Sequence, residues 1–304
     1  MTTTITSYVN SCRASGCTTN TLNNYQRILE AFAAWVEDSG LCAQKITPAD
    51  IVEYKVHLAD RGLKQSTIQL HMTTLRLFYA WQVEVGRLDA TPCTASATKT
   101  KVPPRKSYDK LLTRAEIAQL LKPERPAHIY KNTWSMRYAI VCILLTSGMR
   151  NAELRELRTE DLDFTGGTIH IRSGKGDKER WAAFPPIARS AVLQFLAERP
   201  KDLPEGAPLF GTGERWNEIT QVDLSKMVEV YVRAAIGREG IHTHALRHSS
   251  ASLMFDADMS VEDIADLLGH ASPVTTRRIY IDRLRPEKPV DAAANAFEAL
   301  LAGA

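Results

Sequence analysis

Between Thr91 and Lys110 the chain reads TPCTASATKTKVPPRKSYDK, with no hydrophobic periodicity and with prolines at Pro92, Pro103 and Pro104. Proline lacks a backbone donor and blocks helix interiors, so neither a helix nor a strand is expected to run through this stretch. The chain is therefore expected to fold as two units joined by an extended linker. Its 304 residues suffice for two separate cores. The boundaries read as a first domain over 1–92, a linker over 93–110, a second domain over 111–289, and a terminal helix over 290–304.

The first domain reads as helical. Thr21 to Val36 carries Leu22, Tyr25, Ile28, Leu29, Phe32 and Trp35 or Val36 at helical spacing. Thr47, Pro48 and Asp50 supply a cap, a first-position proline and a first-turn acid for a helix ending near Arg61-Gly62. Another helix is expected from Ser66 to about Val85, with Ile68, Met72, Leu75, Phe78 or Tyr79, and Val83 on one stripe. Apolar residues at this period face a core, so these aromatics are read as packing.

The second domain opens on Thr113-Arg114-Ala115-Glu116, a capping-box pattern ahead of Ile117, Leu120 and Leu121. A buried helix is expected from about Trp134 to Leu145, broken at Thr146-Ser147-Gly148, with a new helix near Asn151. Arg150 lies in that break, beside a helix N-terminus that itself favours anions. Thr168 to Ile171 alternates as a strand, Gly174-Lys175-Gly176-Asp177 is a turn, and Arg180 to Phe184 is the returning strand. Lys175 then sits at a hairpin tip or edge. Residues 223–237 form a further amphipathic helix. After Pro289, DAAANAFEALLAGA places Phe297, Leu300 and Leu301 on one side of a helix, suited to its own domain or to a neighbouring protomer.

Reactive side chains concentrate between Thr243 and Tyr280. His244, Arg247 and His248 stand three and four apart and share a helix face. Ser260 and Asp263 open a second helix through Leu268, and Gly269 stands where a left-handed residue closes a helix. His270 follows that end. Thr275 or Thr276 caps a third short helix that Pro286 stops, and Tyr280 lies within it. His244, Arg247 and His270 are thus candidates to move protons or hold negative charge, and Tyr280 is a candidate nucleophile.

Composition narrows the classes. The longest apolar run, Ala139 to Leu145, falls well short of the ~20 residues a membrane helix needs. The opening MTTTITSYVN lacks a basic segment followed by an apolar core, so a secretory leader is not expected. Five cysteines without CxxC pairing fit a reducing cytoplasm better than a disulfide or zinc framework. Residues 1–106 hold 12 Lys and Arg against 8 Asp and Glu, and the remainder 26 against 27. Local charge says more: Lys99, Lys101, Arg105, Lys106 and Lys110 crowd the linker with only Asp109 opposing. Charge runs are usually solvated surface, but between two domains this one is also a candidate track for a DNA backbone.

Five motifs in order carry a resemblance: T-S-G-M-R-N-A-E-L around Arg150, G-K-G-D-K-E-R around Lys175, H-A-L-R-H, L-G-H, and T-T-R-R-I-Y. Together they resemble the tyrosine recombinases of the phage integrase family, Xer-like members included. The likeness implies a mainly α fold: a helical N-terminal core-binding (SAM-like) domain, then an α-helical catalytic domain with a small antiparallel β-sheet. Many members place the tyrosine nine residues after the L-G-H histidine, whereas here the interval is ten. Tyr231 and Tyr130 do not follow the motif.

The resemblance implies a site-specific recombinase that cleaves and rejoins DNA through a 3′-phosphotyrosyl intermediate, with no metal, ATP or other cofactor. Its implied catalytic residues are Arg150, Lys175, His244, Arg247, His270 and the nucleophile Tyr280. Implied partners are double-stranded DNA with inverted half-sites and three further copies of the chain, assembled by exchange of C-terminal helices. Accessory proteins are compatible with this, no membrane is involved, and a cytoplasmic, nucleoid-associated location follows. Reading His244, His248 and His270 as zinc ligands fails chemically, because Arg247 between two of them repels a cation and no carboxylate or thiol stands at ligand spacing. A type IB topoisomerase shares the chemistry but acts as a monomer, and the helical first domain and terminal helix favour the recombinase. A DNA-binding regulator without catalysis would not need the full reactive set.

Overall fold

A computed structural model describes residues 1–101, 111–172 and 179–270. The chain divides into two compact units, Met1–Lys106 and Ser107–Ala304. Among the described residues, no helix is long and apolar enough to cross a membrane.

The first unit contains α1 (Thr2–Ala14), α2 (Thr19–Asp38), α3 (Pro48–Asp60), α4 (Gln65–Glu84) and the short α5 (Ala95–Thr98). Local chemistry sets the starts. Thr18 accepts from the Thr21 amide at the head of α2, while Thr47 and Asp50 cap one another across the first turn of α3, with Pro48 at its first position. The expected stripe of α2 faces inward, with Ile28, Leu29 and Phe32 fully buried. Tyr8, Phe32, Trp35, Tyr54, Phe78 and Tyr79 form a connected aromatic core. α1 turns only Ile5, Tyr8 and Val9 inward, too sparse a pattern for periodicity to single it out.

The linker begins later than the expected Cys93, because Cys93 and Ala97 are buried in the first core. α5 packs on α3 and α4, and Lys55 Nζ donates to the Ala97 carbonyl at 2.9 Å. Thr94 caps α5 through the Ala97 amide, a short-range signal that a search for hydrophobic periodicity overlooks.

The second unit contains α6 (Arg114–Leu120), α7 (Lys131–Ser147), α8 (Asn151–Glu156), α9 (Pro186–Glu198), α10 (Gln221–Ile236), α11 (Thr243–Asp256) and α12 (Val261–Leu268). α7 is its axle: Tyr138 through Leu145 are all buried, and α6, α9, α10 and α11 pack around it. A helix apolar on every side has to lie at the centre of its domain. The strands β1 (Leu162–Asp163), β2 (Thr168–Ile171) and β3 (Arg180–Ala183) form an antiparallel sheet in that order. The register pairs Ile169 with Ala182, His170 with Trp181, and Ile171 with Arg180. The two expected strands pair with one another, the turn at 174–177 lies outside the described residues, and β1 adds an edge strand too short to read from the sequence. β4 (Gly211–Thr212) and β5 (Asn217–Glu218) make a separate two-residue ladder.

Candidate active site

The break between α7 and α8 builds one wall of the site. Gly148 closes α7 in a left-handed conformation, φ +62°. A Cβ there would stand 2.5 Å from Leu268 Cδ2 and 3.2 Å from Ser250 Oγ. Only glycine gives both the turn and the close approach of α12. Two residues on, Arg150 occupies the N-cap of α8, and its backbone N–H donates to Glu153 Oε2 at 2.6 Å. Its Nη1 donates to Glu153 Oε1 at 2.7 Å, and its Nη2 donates to the Gly269 carbonyl.

The opposite wall is the inward face of α11. Arg247 is 3% exposed; its Nη1 donates to the Gly148 carbonyl at 2.5 Å and its Nη2 to the Leu268 carbonyl at 2.7 Å. On β3, Arg180 donates through Nε to the Leu267 carbonyl at 3.1 Å. Three consecutive carbonyls, those of Leu267, Leu268 and Gly269, thus each accept from a different arginine. The last turn of a helix leaves such carbonyls without intrahelical donors and carries partial negative charge, so guanidinium groups are suited to it.

This junction brings together four of the sequence-derived candidates. Arg150, Arg247 and the α12 end that delivers His270 are joined by the bonds above. His244, exposed one turn before Arg247 on α11, meets His248 edge-to-face, ring centroids 4.5 Å apart. Burial, with the charges of Arg247 and Arg150 nearby, lowers His270 to about 4. Burial, His244 and Arg247 lower His248 to about 4 as well. Both imidazoles are neutral at pH 7, and a neutral imidazole still donates one N–H. Burial alone would raise the Glu153 carboxyl, but hydrogen bonds from Arg180 and the Arg150 backbone override it and hold the group below its ordinary range.

Lys175 and Tyr280 lie outside the described residues, as do Arg105, Lys106 and Lys110 of the linker and residues 290–304, where the sequence predicts a helix. Lys99 and Lys101 are exposed. In the first unit, Lys99 lines a polar cleft of about 270 Å³ with Gln69, Thr73 and Arg76. Tyr231 is set aside as a nucleophile: it is 1% exposed, and its hydroxyl donates to the Leu120 carbonyl at 3.3 Å. Glu153 and Arg180 are the two members that residue-by-residue reading passes over. The signal for Glu153 was its place three residues after Arg150, the capping-box interval.

The phage integrase family model matches residues 110–285, and that of the phage integrase N-terminal SAM-like domain matches residues 5–86. Tyrosine recombinase XerC of Thermodesulfovibrio yellowstonii is 32% identical over 286 residues, spanning 91% of this chain and 90% of that one. Tyrosine recombinase XerD of Caulobacter vibrioides is 30% identical over 265 residues, spanning 85% and 84%. Among solved structures, the Tn1549 transposon integrase in complex with transposon right end DNA has a TM-score of 0.75 at 19% identity, covering 98% of this chain and 99% of that one. The XerH site-specific recombinase bound to difH substrate, in a pre-cleavage complex, has a TM-score of 0.70 at 23% identity, covering 91% and 79%. At such identities the structural likeness concerns the fold.

Proposed function

The chain belongs to the phage integrase family, as a tyrosine recombinase that cleaves and rejoins DNA strands, and from that premise we propose that Tyr280 is its nucleophile and that cleavage proceeds through a 3′-phosphotyrosyl link. The observation that carries this reading is the meeting of Arg150, Arg247, the His244 face and the His270 end of α12 at one junction. Such a cluster fits a phosphodiester, which is anionic and gains charge at the pentavalent transition state.

The proposed chemistry balances without an external reactant. The Tyr280 oxygen attacks phosphorus, the bond to the 5′-oxygen breaks, and that oxygen leaves with a proton. The energy of the broken phosphodiester is kept in the phosphotyrosyl bond, so rejoining is the same step reversed, with no ATP. A free tyrosine ionises near pH ~10, so the phenol needs help at neutral pH. His244 assists its deprotonation, and Lys175 donates to the leaving oxygen. Arg150 and Arg247 place fixed positive charge at the non-bridging oxygens, where one preorganised donor is worth about 10²–10³ in rate. His270, neutral, donates a hydrogen bond to one of them.

The DNA is held mainly through phosphates by Lys99, Lys101, Arg105, Lys106 and Lys110, with the helical N-terminal unit on the duplex and the catalytic unit over the cut. The working assembly is four chains on two duplexes with inverted half-sites, each passing its 290–304 helix to a neighbour in a closed ring. The protein acts in the cytoplasm, on the nucleoid.

The test uses a nicked duplex carrying half-sites mapped by footprinting on flanking genomic DNA. Wild-type protein is expected to trap a covalent adduct on it, and Tyr280→Phe to bind it equally but form none. A chain ending at residue 289 is expected to cut yet assemble poorly. Adduct at normal yield from Tyr280→Phe would reject the nucleophile, and undiminished assembly of the shortened chain would reject the exchange.

A further inference from the structure

We infer that Arg180 is a positioning residue for strand cleavage, one that shares the Glu153 carboxylate with Arg150 and anchors the end of α12. The inference rests on the proposed function and adds a residue to it. Arg180 stands on β3 between Glu179 and the exposed Trp181, and its side chain points inward, 10% exposed. Its Nη1 and Nη2 fork onto Glu153 Oε1 and Oε2 at 2.8 and 2.7 Å. Its Nε reaches the Leu267 carbonyl at 3.1 Å.

The sharing has an electrostatic consequence. Each Glu153 oxygen accepts once from Arg180 and once from Arg150, whose side chain takes Oε1 and whose backbone N–H takes Oε2. Arg150 and Glu153 by themselves would be a neutral pair, and a phosphodiester gains little from a neutralised guanidinium. With Arg180 included, two cations share one anion and the group keeps a net positive charge. The fork also fixes the plane of the carboxylate, and with it the direction of the Arg150 guanidinium.

The second anchor is steric. Gly269 closes α12 at φ +64°, and a Cβ there would meet Arg180 Nη1 at 3.0 Å and its Cδ at 3.1 Å. Arg180 therefore packs against the residue just before His270 while it holds the Leu267 carbonyl. One side chain sets both the arginine on one wall and the helix end that carries the histidine.

A stabilising ion pair with no part in cleavage would also show these contacts, so binding and cleavage have to be read separately. Arg180→Met, Arg180→Lys, Glu153→Gln and the double variant R180M/E153Q are made in the full chain and assayed on the same nicked duplex. Equilibrium binding and single-turnover adduct formation are measured, with melting curves to confirm folding. Arg180→Met is expected to bind within about threefold of wild type and to cleave roughly 10- to 100-fold more slowly, by analogy with the loss of the outer partners that orient metal ligands. Arg180→Lys, with the charge but not the fork, should recover part of the rate. The double variant should be less impaired than the product of the two single losses, because Arg180 acts through Glu153. Cleavage by Arg180→Met at the wild-type rate, equal losses of binding and cleavage, or fully multiplicative losses would each overturn the inference. If Arg180→Met does not fold, Arg180→Lys decides on the same comparison of binding with cleavage. Failure of the wild-type protein to form any adduct would instead remove the functional reading and this inference together.

Discussion

Arg247 Nη2 lies 2.7 Å from the carbonyl of Leu268, while Nη1 of the same guanidinium holds the carbonyl of Gly148. One buried side chain therefore ties the end of α7 to the end of α12. Arginine can do this because its donors form a rigid planar fork, which a lysine ammonium on a flexible stem cannot reproduce. Arg247→Lys is expected to leave one of the two buried carbonyls without its donor, at a cost of about 1–3 kcal/mol. For a unit of this size that is a fall in melting temperature of roughly 2–12 °C. Adduct formation should fall with it. A melting temperature and a cleavage rate both at wild-type level would refute this account of Arg247.

The proposed acid is tested by chemistry that dispenses with an acid. A 5′-phosphorothiolate leaves as a thiolate and needs no proton at the scissile position. Lys175→Ala is expected to cleave an ordinary duplex poorly and the sulfur-substituted one at close to the wild-type rate. Equal impairment on both substrates would move the acid to another residue.

Three histidines give the fold an acid limit. Burial, with Arg27 and Arg61 nearby, lowers His71 to about 4, and in the first core its Nδ1 is 3.0 Å from the Tyr54 hydroxyl. His248 and His270 are lowered to about 4 in the second unit. The unfolded chain takes these protons near pH ~6.5, the folded chain only near 4. Between those values the unfolded state binds more protons, so the stability they confer is complete above about pH 6.5 and declines as pH falls toward 4. Glu153, held below the usual carboxylate range, adds a further loss at lower pH. Thermal melts from pH 7.5 to 4 should show this decline, and His71→Asn should flatten it for the first unit. A melting temperature constant from pH 7 to 4.5 would contradict the burial of these rings.

Much of the helical frame was legible because its signals are local. Thr47, Thr113 and Ser260 each make the capping bond their spacing suggests, and the apolar run of α7 proves to be the centre of its unit. What escaped was set by distant partners. α1 shows three inward residues to the sequence, and β1 exists only because Leu162 pairs with Ile169. Arg180 sits inside a quoted motif, yet its value depends on Glu153 and Leu267 being carried to it by other elements. A linear pattern names the charged residues of such a cluster without stating which anion serves which cation.

The missing side chain at Gly269 reaches beyond its own turn. Because the space a methyl group would fill is held by Arg180, substitutions at the two positions are not independent events. Alanine at 269 should be damaging in this background and milder once residue 180 is shortened. Among descendants of a common ancestor, the two sites should therefore drift as a couple.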